Sequence, residues 1–488
     1  MSNYEKLKEY LTKVTDLEYL ASLIFWETRI SGANESKDYL IEVRTRLEGE
    51  KFDLITSNTY GEMLISLINS SEMKQLSKEE QNYIMNLYNK YNNFKKIPSE
   101  FYKEYIKNNQ ISTKVWEEAK KTNNYELFKP YLKKNIEMAK KYYSYIDSEH
   151  DLYDVMLNEY EKNMTSEVVD KLFNRLKEYL IPLIKEVKTE SKKYEVNYTN
   201  EELLKVSRYL LNYIGFDLKR GIIGIYPHGF TEKLNANDVR ITFKNTNNPL
   251  SFVGTVIHEG GHGIFEQNIN SNLAIFSNNC IENLYALHES QSRLYENILG
   301  RNKNFWIPIY DDIKKLLKLD IELDEFIELL NIVTPGLIRV NADELTYALH
   351  IIIRYEIERD LFHDKISIDD LPEIWNKKMK EYLGVIPKTD SEGLMQDIHW
   401  AEGDFGYFPS YLIGNIYDGM FINTIEEKVG PIDELLKNGE INKITEFLIK
   451  NIYQYGSAYN SYEIIEKVCG KELSSKPIIK YYEKKYRR

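Results

Sequence analysis

The residues best suited to chemistry in this chain are His258-Glu259-Gly260-Gly261-His262. Side chains four positions apart lie on one face of an α-helix, so His258 and His262 can offer two imidazole nitrogens to one metal ion. Glu259 is rotated by about 100° from His258, which suits it to take a proton from water rather than to bind the ion. This pattern is typical of zinc hydrolases, although a surface helix with two unrelated histidines would carry the same residues.

A catalytic zinc ion generally has three protein ligands and one water molecule, so a third ligand must lie elsewhere in the chain. Residues 281–297 have apolar side chains at helical spacing and predict a second amphipathic helix. Glu282, Glu289 and Glu296 share one face of this helix at intervals of seven residues. By spacing alone, any of the three could face the metal.

Further motifs along the chain resemble one family of peptidases. The histidine pair is followed by His288-Glu289-Ser290-Gln291, and other segments match Asp-x-Arg-x-Thr, Ile-Arg-x-x-Ala-Asp and Gly-x-x-Gln-Asp-x-His-Trp. In this chain they read Asp238-Val239-Arg240-Ile241-Thr242, Ile338-Arg339-Val340-Asn341-Ala342-Asp343 and Gly393-Leu394-Met395-Gln396-Asp397-Ile398-His399-Trp400, with Gly406-Tyr407-Phe408-Pro409-Ser410-Tyr411 close behind and Phe25-Trp26-Glu27-Thr28 near the start. Together they resemble the M32 family of metallocarboxypeptidases, the carboxypeptidase Taq family.

This resemblance implies a mainly α, zincin-like metallopeptidase with a small β-sheet beside the active-site helix and a long substrate groove. It implies that His258, His262 and Glu289 bind one Zn²⁺ per chain, which Co²⁺ can replace, and that Glu259 is the general base. The expected reaction releases single amino acids from peptide C-termini with broad specificity, and the expected assembly is a homodimer. One departure is His228-Gly229-Phe230, which stands where the family usually has His-Pro-Phe and lacks the fixed φ of proline.

A carboxypeptidase also needs groups that recognise its substrate. A guanidinium binds a terminal carboxylate through two parallel hydrogen bonds. Arg339 and Arg240 lie inside matched motifs and rank above Arg354 for this role. A further donor is needed for the oxyanion formed during attack; its candidates are Tyr407, Tyr411 and His399, which the sequence does not rank. The other candidates for substrate binding are His228, His399, Tyr407 and Tyr411, while Asp343 and Asp397 are candidates to orient ligands or arginines.

The elements that position these residues are partly visible in the sequence. The histidine pair needs a helix, which is predicted over 252–268 with Ser251 as N-cap. Four glycines inside it each cost about 1 kcal/mol relative to alanine, which indicates close approach by another helix or by a bound chain. Strands are predicted at 221–226 and 239–243, either as a supporting hairpin or as an edge along which a peptide binds.

The rest of the chain is predicted to be mainly helical. Stretches such as 114–141 and 168–192 have helical spacing, and there is no linker-like or repetitive segment. The chain therefore predicts a single peptidase unit over 1–488. Its part over 1–200 is expected to be mostly helical, and its part over 201–488 carries the metal and substrate motifs.

Composition narrows the class of partner and compartment. A net charge of −12 and a pI near 5.4 disfavour nucleic acid, because phosphate binding needs a basic surface. Charged residues interrupt the N-terminal region, and no apolar run approaches the ~18 residues of a membrane span. Cys280 and Cys469 make neither a disulfide framework nor a thiolate metal site. We therefore expect a cytoplasmic protein with no nucleic-acid or membrane partner.

Two other functions stay open on the sequence. An oligoendopeptidase would use the same metal chemistry and would differ in whether the groove is closed beyond the cleavage site. A non-catalytic, metal-stabilised peptide-binding protein would need a fourth protein ligand to close the coordination sphere. His288 is the nearest spare histidine, but it points about 100° away from Glu289 around the predicted helix.

Overall fold

The computed structural model describes residues 1–190, 192, 194–277 and 284–487. Cys280 and Glu282 lie outside the described residues. In chain order the helices are α1 (Asn3–Trp26), α2 (Lys37–Thr56), α3 (Asn58–Ile68), α4 (Lys78–Lys96), α5 (Ser99–Thr122), α6 (Tyr125–Ile146), α7 (Leu152–Tyr160), α8 (Ser166–Val187), α9 (Asn200–Ile214), α10 (Pro249–Gln267), α11 (Ala274–Ser277), α12 (Tyr285–Arg293), α13 (Lys303–Trp306), α14 (Tyr310–Leu316), α15 (Leu323–Leu330), α16 (Glu344–Phe362), α17 (Leu371–Leu383), α18 (His399–Glu402), α19 (Phe408–Lys428), α20 (Ile432–Lys437), α21 (Ile441–Asn451), α22 (Ser461–Cys469) and α23 (Lys476–Tyr486). The strands are β1 (Gly221–Ile225), β2 (Phe230–Asn235) and β3 (Asp238–Phe243), and two π-helical turns span Glu27–Ser31 and Leu294–Leu299.

The chain forms two compact units, each built from three separate segments. The first unit contains Met1–Asn92, Lys192–Leu330 and Phe421–Glu472. The second contains Asn93–Ser191, Asn331–Met420 and Leu473–Arg488. Each unit therefore uses residues from both sides of position 200, and the single peptidase unit expected from the sequence stays a prediction.

The sheet of the first unit has three strands in the order β1-β3-β2. β1 runs parallel to β3, and β2 runs antiparallel to it with Thr231 opposite Ile241. The central strand packs under α10, which buries Val239 and Phe243, and Phe243 meets Phe252 of the helix edge to face. The predicted mainly helical fold and the small sheet beside α10, the helix that carries the histidine pair, are thus confirmed. β2 was not predicted, because its sequence Phe-Thr-Glu-Lys-Leu-Asn lacks an apolar run.

Helix α10 begins earlier than the sequence predicts. Asn248 caps it by accepting hydrogen bonds from the backbone N–H groups of Leu250 and Ser251. Pro249 occupies the first turn, where its missing N–H costs no hydrogen bond. The prediction of Ser251 as N-cap is therefore wrong, because an asparagine and a proline just before it already start the helix.

The second unit contains α16, a helix buried on almost every side. Ile351, Ile352 and Ile353 follow one another around the helix and are all fully buried, as expected for a helix inside a core. The helices α8 and α17 pack against it. The predicted helical stretch 114–141 is interrupted at Asn123, whose φ of 51° ends α5 before α6 begins.

No helix in the described part of the chain combines the length and apolar content needed to cross a bilayer. Cys469 is a free, half-buried thiol. The cytoplasmic location stays a prediction.

Candidate metal centre

Three side chains of the first unit converge where α10 packs against α12. Nε2 of His262 lies 3.5 Å from Oε2 of Glu289, and Nε2 of His258 lies 3.9 Å from the same oxygen. The ligand atoms of all three residues lie within 4.8 Å of one another, and each side chain is mostly buried. Donors at about 2.0–2.1 Å from a tetrahedral zinc ion are about 3.3 Å apart. Two imidazole nitrogens and one carboxylate oxygen therefore fit such an ion after small adjustments.

Glycine at position 261 lets α12 approach closely enough to bring Glu289 to the histidines. A Cβ atom at Gly261 would lie 2.8 Å from Cα of Ser292 at the end of α12. Gly260 and Gly263 are packed as tightly against side chains of the first unit, where an added Cβ would find atoms at 2.5 and 2.6 Å. Three of the four glycines in the helix, Gly260, Gly261 and Gly263, therefore serve close packing, one of the two roles that the sequence left open.

Glu289 and Glu296, two of the candidate metal ligands that follow α10, take different positions. Glu289 faces both histidines, whereas Oε2 of Glu296 lies 2.8 Å from Nδ1 of His258. Between them the helix changes from α to π winding at Leu294, which alters the direction of the side chains that follow. The contact between Glu296 and His258 was not predicted, and the seven-residue interval was the only sign of it in the sequence.

Charges around the cluster keep both glutamates ionised. Burial by itself raises the pKa of Glu289, but the charges of Arg293 and His258 lower it well below its usual range. Burial also raises the pKa of Glu296, but its hydrogen bond with His258 and the charge of Arg293 lower it to about 2. Nε of Arg293 lies 2.8 Å from Oε1 of Glu289, and its Nη1 lies 3.6 Å from Oε2 of Glu296. One carboxylate can thus bind a cation directly while the other orients the His258 ring.

His288 contacts the cluster without adding a ligand to it. Its Nε2 lies 3.0 Å from Oε1 of Glu266, whose other oxygen pairs with Lys233 at 2.8 Å. The His288 ring stacks on His262 with centroids 4.4 Å apart. Burial and the neighbouring His288 lower the pKa of His262 to about 3, which keeps that imidazole neutral, as a metal ligand must be. Within the described residues, His258, His262 and Glu289 form the one cluster of this kind.

Glu259 points from α10 toward β2 and the loop before it. The hydroxyl of Thr231 donates a hydrogen bond of 2.7 Å to Oε2 of Glu259. A Cβ atom at Gly229 would lie 3.1 Å from Oε1, so the glycine that departs from the family pattern packs directly against this carboxylate. The side chain of His228, one residue earlier, is exposed. Burial raises the pKa of Glu259, which moves it toward the range of a general base.

In the second unit, Asp397 lies between two buried arginines. Nε and Nη2 of Arg339 donate hydrogen bonds of 3.0 and 2.9 Å to its Oδ1, and Nε of Arg354 donates one of 2.7 Å to Oδ2. The side chains of Arg339 and Arg354 are only 8% and 1% exposed. One carboxylate neutralises one of the two guanidinium charges, so the pair is suited to bind a further anion. Asp343, by contrast, caps α16 by accepting backbone N–H bonds.

The aromatic substrate candidates form a group with Arg339. Nε2 of His399 lies 3.2 Å from the hydroxyl of Tyr411, and the rings of Tyr407 and Tyr411 meet edge to face at 5.1 Å. The guanidinium of Arg339 lies 5.1 Å from the centre of the Tyr411 ring. All three aromatic side chains are half-buried. Burial and the charge of Arg339 lower the pKa of His399 to about 4, so its ring is neutral at pH 7.

Arg240 is in β3 of the first unit. Its Nε and Nη2 donate hydrogen bonds of 2.9 and 2.8 Å to the two oxygens of Asp238. Its guanidinium lies 5.5 Å from the centre of the Trp26 ring. Its planar fork is therefore already occupied by a carboxylate of the chain itself.

The centre consists of two histidines from α10 and a glutamate from α12, with a second glutamate beside the first histidine. In a mainly helical protein, this arrangement is typical of a metallopeptidase. The chain belongs to the carboxypeptidase Taq (M32) metallopeptidase family, whose model matches residues 6–486. It is 36% identical to carboxypeptidase 1 of Bacillus subtilis and 30% identical to thermostable carboxypeptidase 1 of Thermus thermophilus, in both cases over 99% of this chain and 98% of the relative. The M32 carboxypeptidase structure from Deinococcus radiodurans superposes with a TM-score of 0.94 at 27% identity, covering 100% of this chain and 99% of that one. The protein is therefore a metallocarboxypeptidase, as its motifs predicted.

Proposed function

We propose that this enzyme releases single amino acids from the C-termini of peptides with broad specificity, using one zinc ion per chain bound by His258, His262 and Glu289. The observation that carries the proposal is the convergence of these three ligand atoms within 4.8 Å. Two imidazoles and one carboxylate form a donor set of catalytic zinc sites that keep one position open for water. We also propose Co²⁺ as a substitute, since imidazole and carboxylate ligands bind several first-row divalent metals.

Glu259 is the proposed general base. A bound ion would lower the pKa of a water molecule and polarise the scissile carbonyl. Glu259 would take the proton from the attacking water and deliver it to the leaving amine. Its burial and raised pKa support this role, since a carboxylate with a pKa nearer neutrality accepts a proton more readily. The hydroxyl of Thr231 holds Oε2, which leaves Oε1 to exchange the proton.

Arg339 is the proposed partner of the terminal carboxylate. Three observations favour it over the other two arginines. The fork of Arg240 is filled by Asp238, and Arg354 is almost fully buried with its Nη1 donating to the backbone oxygen of His350. Arg339 instead shares its only carboxylate partner among the described residues, Asp397, with a second arginine.

The half-buried aromatic group beside Arg339 is proposed to bind the rest of the substrate. The hydroxyl groups of Tyr407 and Tyr411 and the neutral ring of His399 can each donate a hydrogen bond to a developing oxyanion. His228 is proposed as a further substrate contact, because it is exposed and belongs to the loop that packs against Glu259. A homodimer and a cytoplasmic location, which the family resemblance and the composition favour, complete the proposal.

The test uses paired peptides of one sequence with a free or an amidated C-terminus, with products read by mass spectrometry. We expect a ladder of single-residue losses from the free peptide and no such ladder from the amidated one. Equal cleavage at internal bonds of both peptides would contradict the exopeptidase assignment and favour an oligoendopeptidase. Metal loading without cleavage of either peptide would favour a non-catalytic, metal-stabilised peptide-binding protein.

A further inference from the structure

One face of α16 carries a stripe of buried polar side chains. His350, Arg354 and Glu358 follow one another at intervals of four residues, and their exposed fractions are 0%, 1% and 0%. Residues four apart lie on the same face of a helix. Burying polar and charged groups is costly unless they are hydrogen-bonded or paired. The charge of Arg354 is paired with Asp397, whereas Glu358 has no role in the site described above.

The carboxylate of Glu358 accepts hydrogen bonds from three donors of the second unit. The indole N–H of Trp400 donates to Oε1 at 2.6 Å. The backbone N–H of Gly406 and the hydroxyl of Tyr153 donate to Oε2 at 2.9 and 3.1 Å. Three donors converging on two oxygens call for a group that only accepts, which is an ionised carboxylate.

Two of these donors, Trp400 within α18 and Gly406 just before α19, mark the two ends of a short segment. Trp400 directly follows His399, and Gly406 directly precedes Tyr407. Trp400 and Gly406 are buried, while His399 and Tyr407 are half-buried. His399 and Tyr407 are therefore each attached to a buried neighbour whose N–H donates to Glu358.

Close contacts surround this segment at the same two points. Gly406 has a φ of +84°, and a Cβ atom there would lie 3.1 Å from Cβ of Met156 in α7. The ring of Trp400 meets that of Trp375 edge to face at 6.1 Å. The turn at Gly406 thus has little space in which to move, and its N–H is directed at Glu358.

We infer that Glu358 is a positioning residue, whose carboxylate fixes His399 and Tyr407 for substrate by holding Trp400 and Gly406. One turn earlier on α16, Arg354 holds Asp397 upstream of the same segment, so two opposite charges of one helix anchor it. The inference rests on the proposed function, in which His399 and Tyr407 bind substrate.

The conservative variant Glu358→Gln tests whether the side chain acts by accepting hydrogen bonds or only by packing in the core. Glutamine has nearly the same shape, but one of its two terminal groups is a donor. Placed at the Oε1 position, that NH₂ group faces the indole N–H of Trp400, and at the Oε2 position it faces the backbone N–H of Gly406. Either orientation sets one donor against another and releases one end of the segment.

A second substitution restores the pairing of donors with acceptors around position 358. In Trp400→Phe the indole N–H is absent, so glutamine at position 358 can direct its NH₂ group toward the phenylalanine ring. Its carbonyl oxygen then accepts from Gly406 and Tyr153. The double variant Trp400→Phe/Glu358→Gln is therefore expected to have a higher kcat/KM than Glu358→Gln alone.

The experiment measures the kinetics of release from a peptide with a free C-terminus at pH 8, for the metal-loaded full-length enzyme and these variants. Metal content, circular dichroism and melting temperature are recorded on the same samples. We expect Glu358→Gln to lower kcat/KM at least tenfold per metal-loaded molecule well below its melting temperature, with partial recovery in the double variant. If kcat/KM per folded molecule is unchanged and only the melting temperature falls, Glu358 has a structural role alone and the inference is overturned.

A readout without activity separates this inference from the proposed function. The ¹⁵N indole resonance of Trp400, assigned by its loss in Trp400→Phe, reports the hydrogen bond to the carboxylate. We expect this resonance to shift in Glu358→Gln and to stay in place in Tyr153→Phe, which removes a different donor. An unshifted resonance in Glu358→Gln contradicts the inference. Absence of single-residue release by the wild-type enzyme contradicts the proposed function whatever the resonance does.

Discussion

Nδ1 of His258 lies 2.8 Å from Oε2 of Glu296, so the first histidine of the motif is held from behind by a carboxylate of the neighbouring helix. An ionised partner at Nδ1 fixes the ring so that Nε2 presents its lone pair to the metal. We expect Glu296→Ala to weaken metal affinity by about 10–100-fold. Competition with a chromophoric chelator would measure this change.

The variant Glu296→Gln is the matched control for that prediction. Its side-chain carbonyl can still accept from Nδ1 of His258, although without the negative charge. We therefore expect its metal affinity to lie between those of the wild-type enzyme and Glu296→Ala. An unchanged affinity in both variants would show that the Glu296 contact does not support the ligand.

Replacing the proposed base should separate chemistry from metal binding. Glu259→Gln keeps the shape of the side chain and removes its ability to accept a proton. We expect turnover of a free-C-terminus peptide to fall by about 10²–10⁴-fold while metal analysis still gives about one ion per chain. Loss of the metal together with activity would mean that Glu259 has a ligand or folding role.

Gly261→Ala should disturb the metal centre without changing any ligand. Its new Cβ would lie 2.8 Å from backbone atoms of α12, so the helix that carries Glu289 must move away. We expect a loss of about 1–3 kcal/mol in the free energy of unfolding and a weaker metal affinity. Gly254→Ala is the control on the same helix, because the nearest atom to its Cβ, Oε1 of Glu296, is at 3.7 Å. This control should be neutral or more stable by up to about 1 kcal/mol.

Arg339→Lys should reduce recognition of the peptide terminus. Lysine keeps the charge but cannot form two parallel hydrogen bonds to a carboxylate. We expect kcat/KM for a free-C-terminus peptide to fall by about 10–100-fold. Arg240→Lys should change it little, because the guanidinium of Arg240 is already paired with Asp238. If Arg240→Lys instead lowers kcat/KM more than Arg339→Lys in these steady-state measurements, Arg240 and not Arg339 binds the terminal carboxylate.

The buried carboxylate of Glu358 should make stability depend on pH. Burial raises its pKa to about 7 despite the donors Gly406, Trp400 and Tyr153 and the nearby charge of Arg354. The folded protein then binds this proton more tightly than the unfolded chain, whose glutamate has a pKa near 4.5. The resulting stabilisation is complete below pH 4.5 and is lost as the pH rises through 7, a change of roughly 3 kcal/mol.

Urea unfolding of the wild-type enzyme and of Glu358→Gln between pH 5 and 8 would measure this contribution. Because glutamine does not titrate, the difference in free energy of unfolding between the two proteins isolates the carboxylate. Relative to the variant, the wild type should become less stable as the pH rises toward 7, and the difference should level off above it. A difference that is constant over this range would show that Glu358 ionises like an exposed glutamate.

Much of the metal centre could be predicted from the sequence, because two of its three proposed ligands lie four residues apart on one helix. His258 and His262 lie on one face of any helix that contains them, whatever surrounds that helix. The strands β1 and β3 before it were found for a similar reason, since short runs of β-branched residues bounded by turn-forming residues favour strands. The start of α10 was misplaced by three residues, because several residue types can cap a helix and only backbone geometry decides among them.

Other parts of the site depend on contacts between distant segments. A seven-residue interval leaves Glu289 and Glu296 equivalent on a regular helix, and the π-helical turn that begins at Leu294 separates them. Arg240 and Arg339 both lie in matched motifs, and only their partners distinguish them. Asp238 pairs with both ends of one fork, while Asp397 is shared between Arg339 and Arg354.

The sequence by itself therefore determined the class of chemistry, the two histidine positions, the proposed general base and the family. These features follow from residue types and short spacings along the chain. The tertiary structure decided the geometry of Glu289 opposite the histidines, the support of His258 by Glu296, and the packing role of Gly261. It also revealed the buried anchor at Glu358. Each of these depends on how closely two separate elements approach, a distance set by packing over the whole unit and not by local order in the chain.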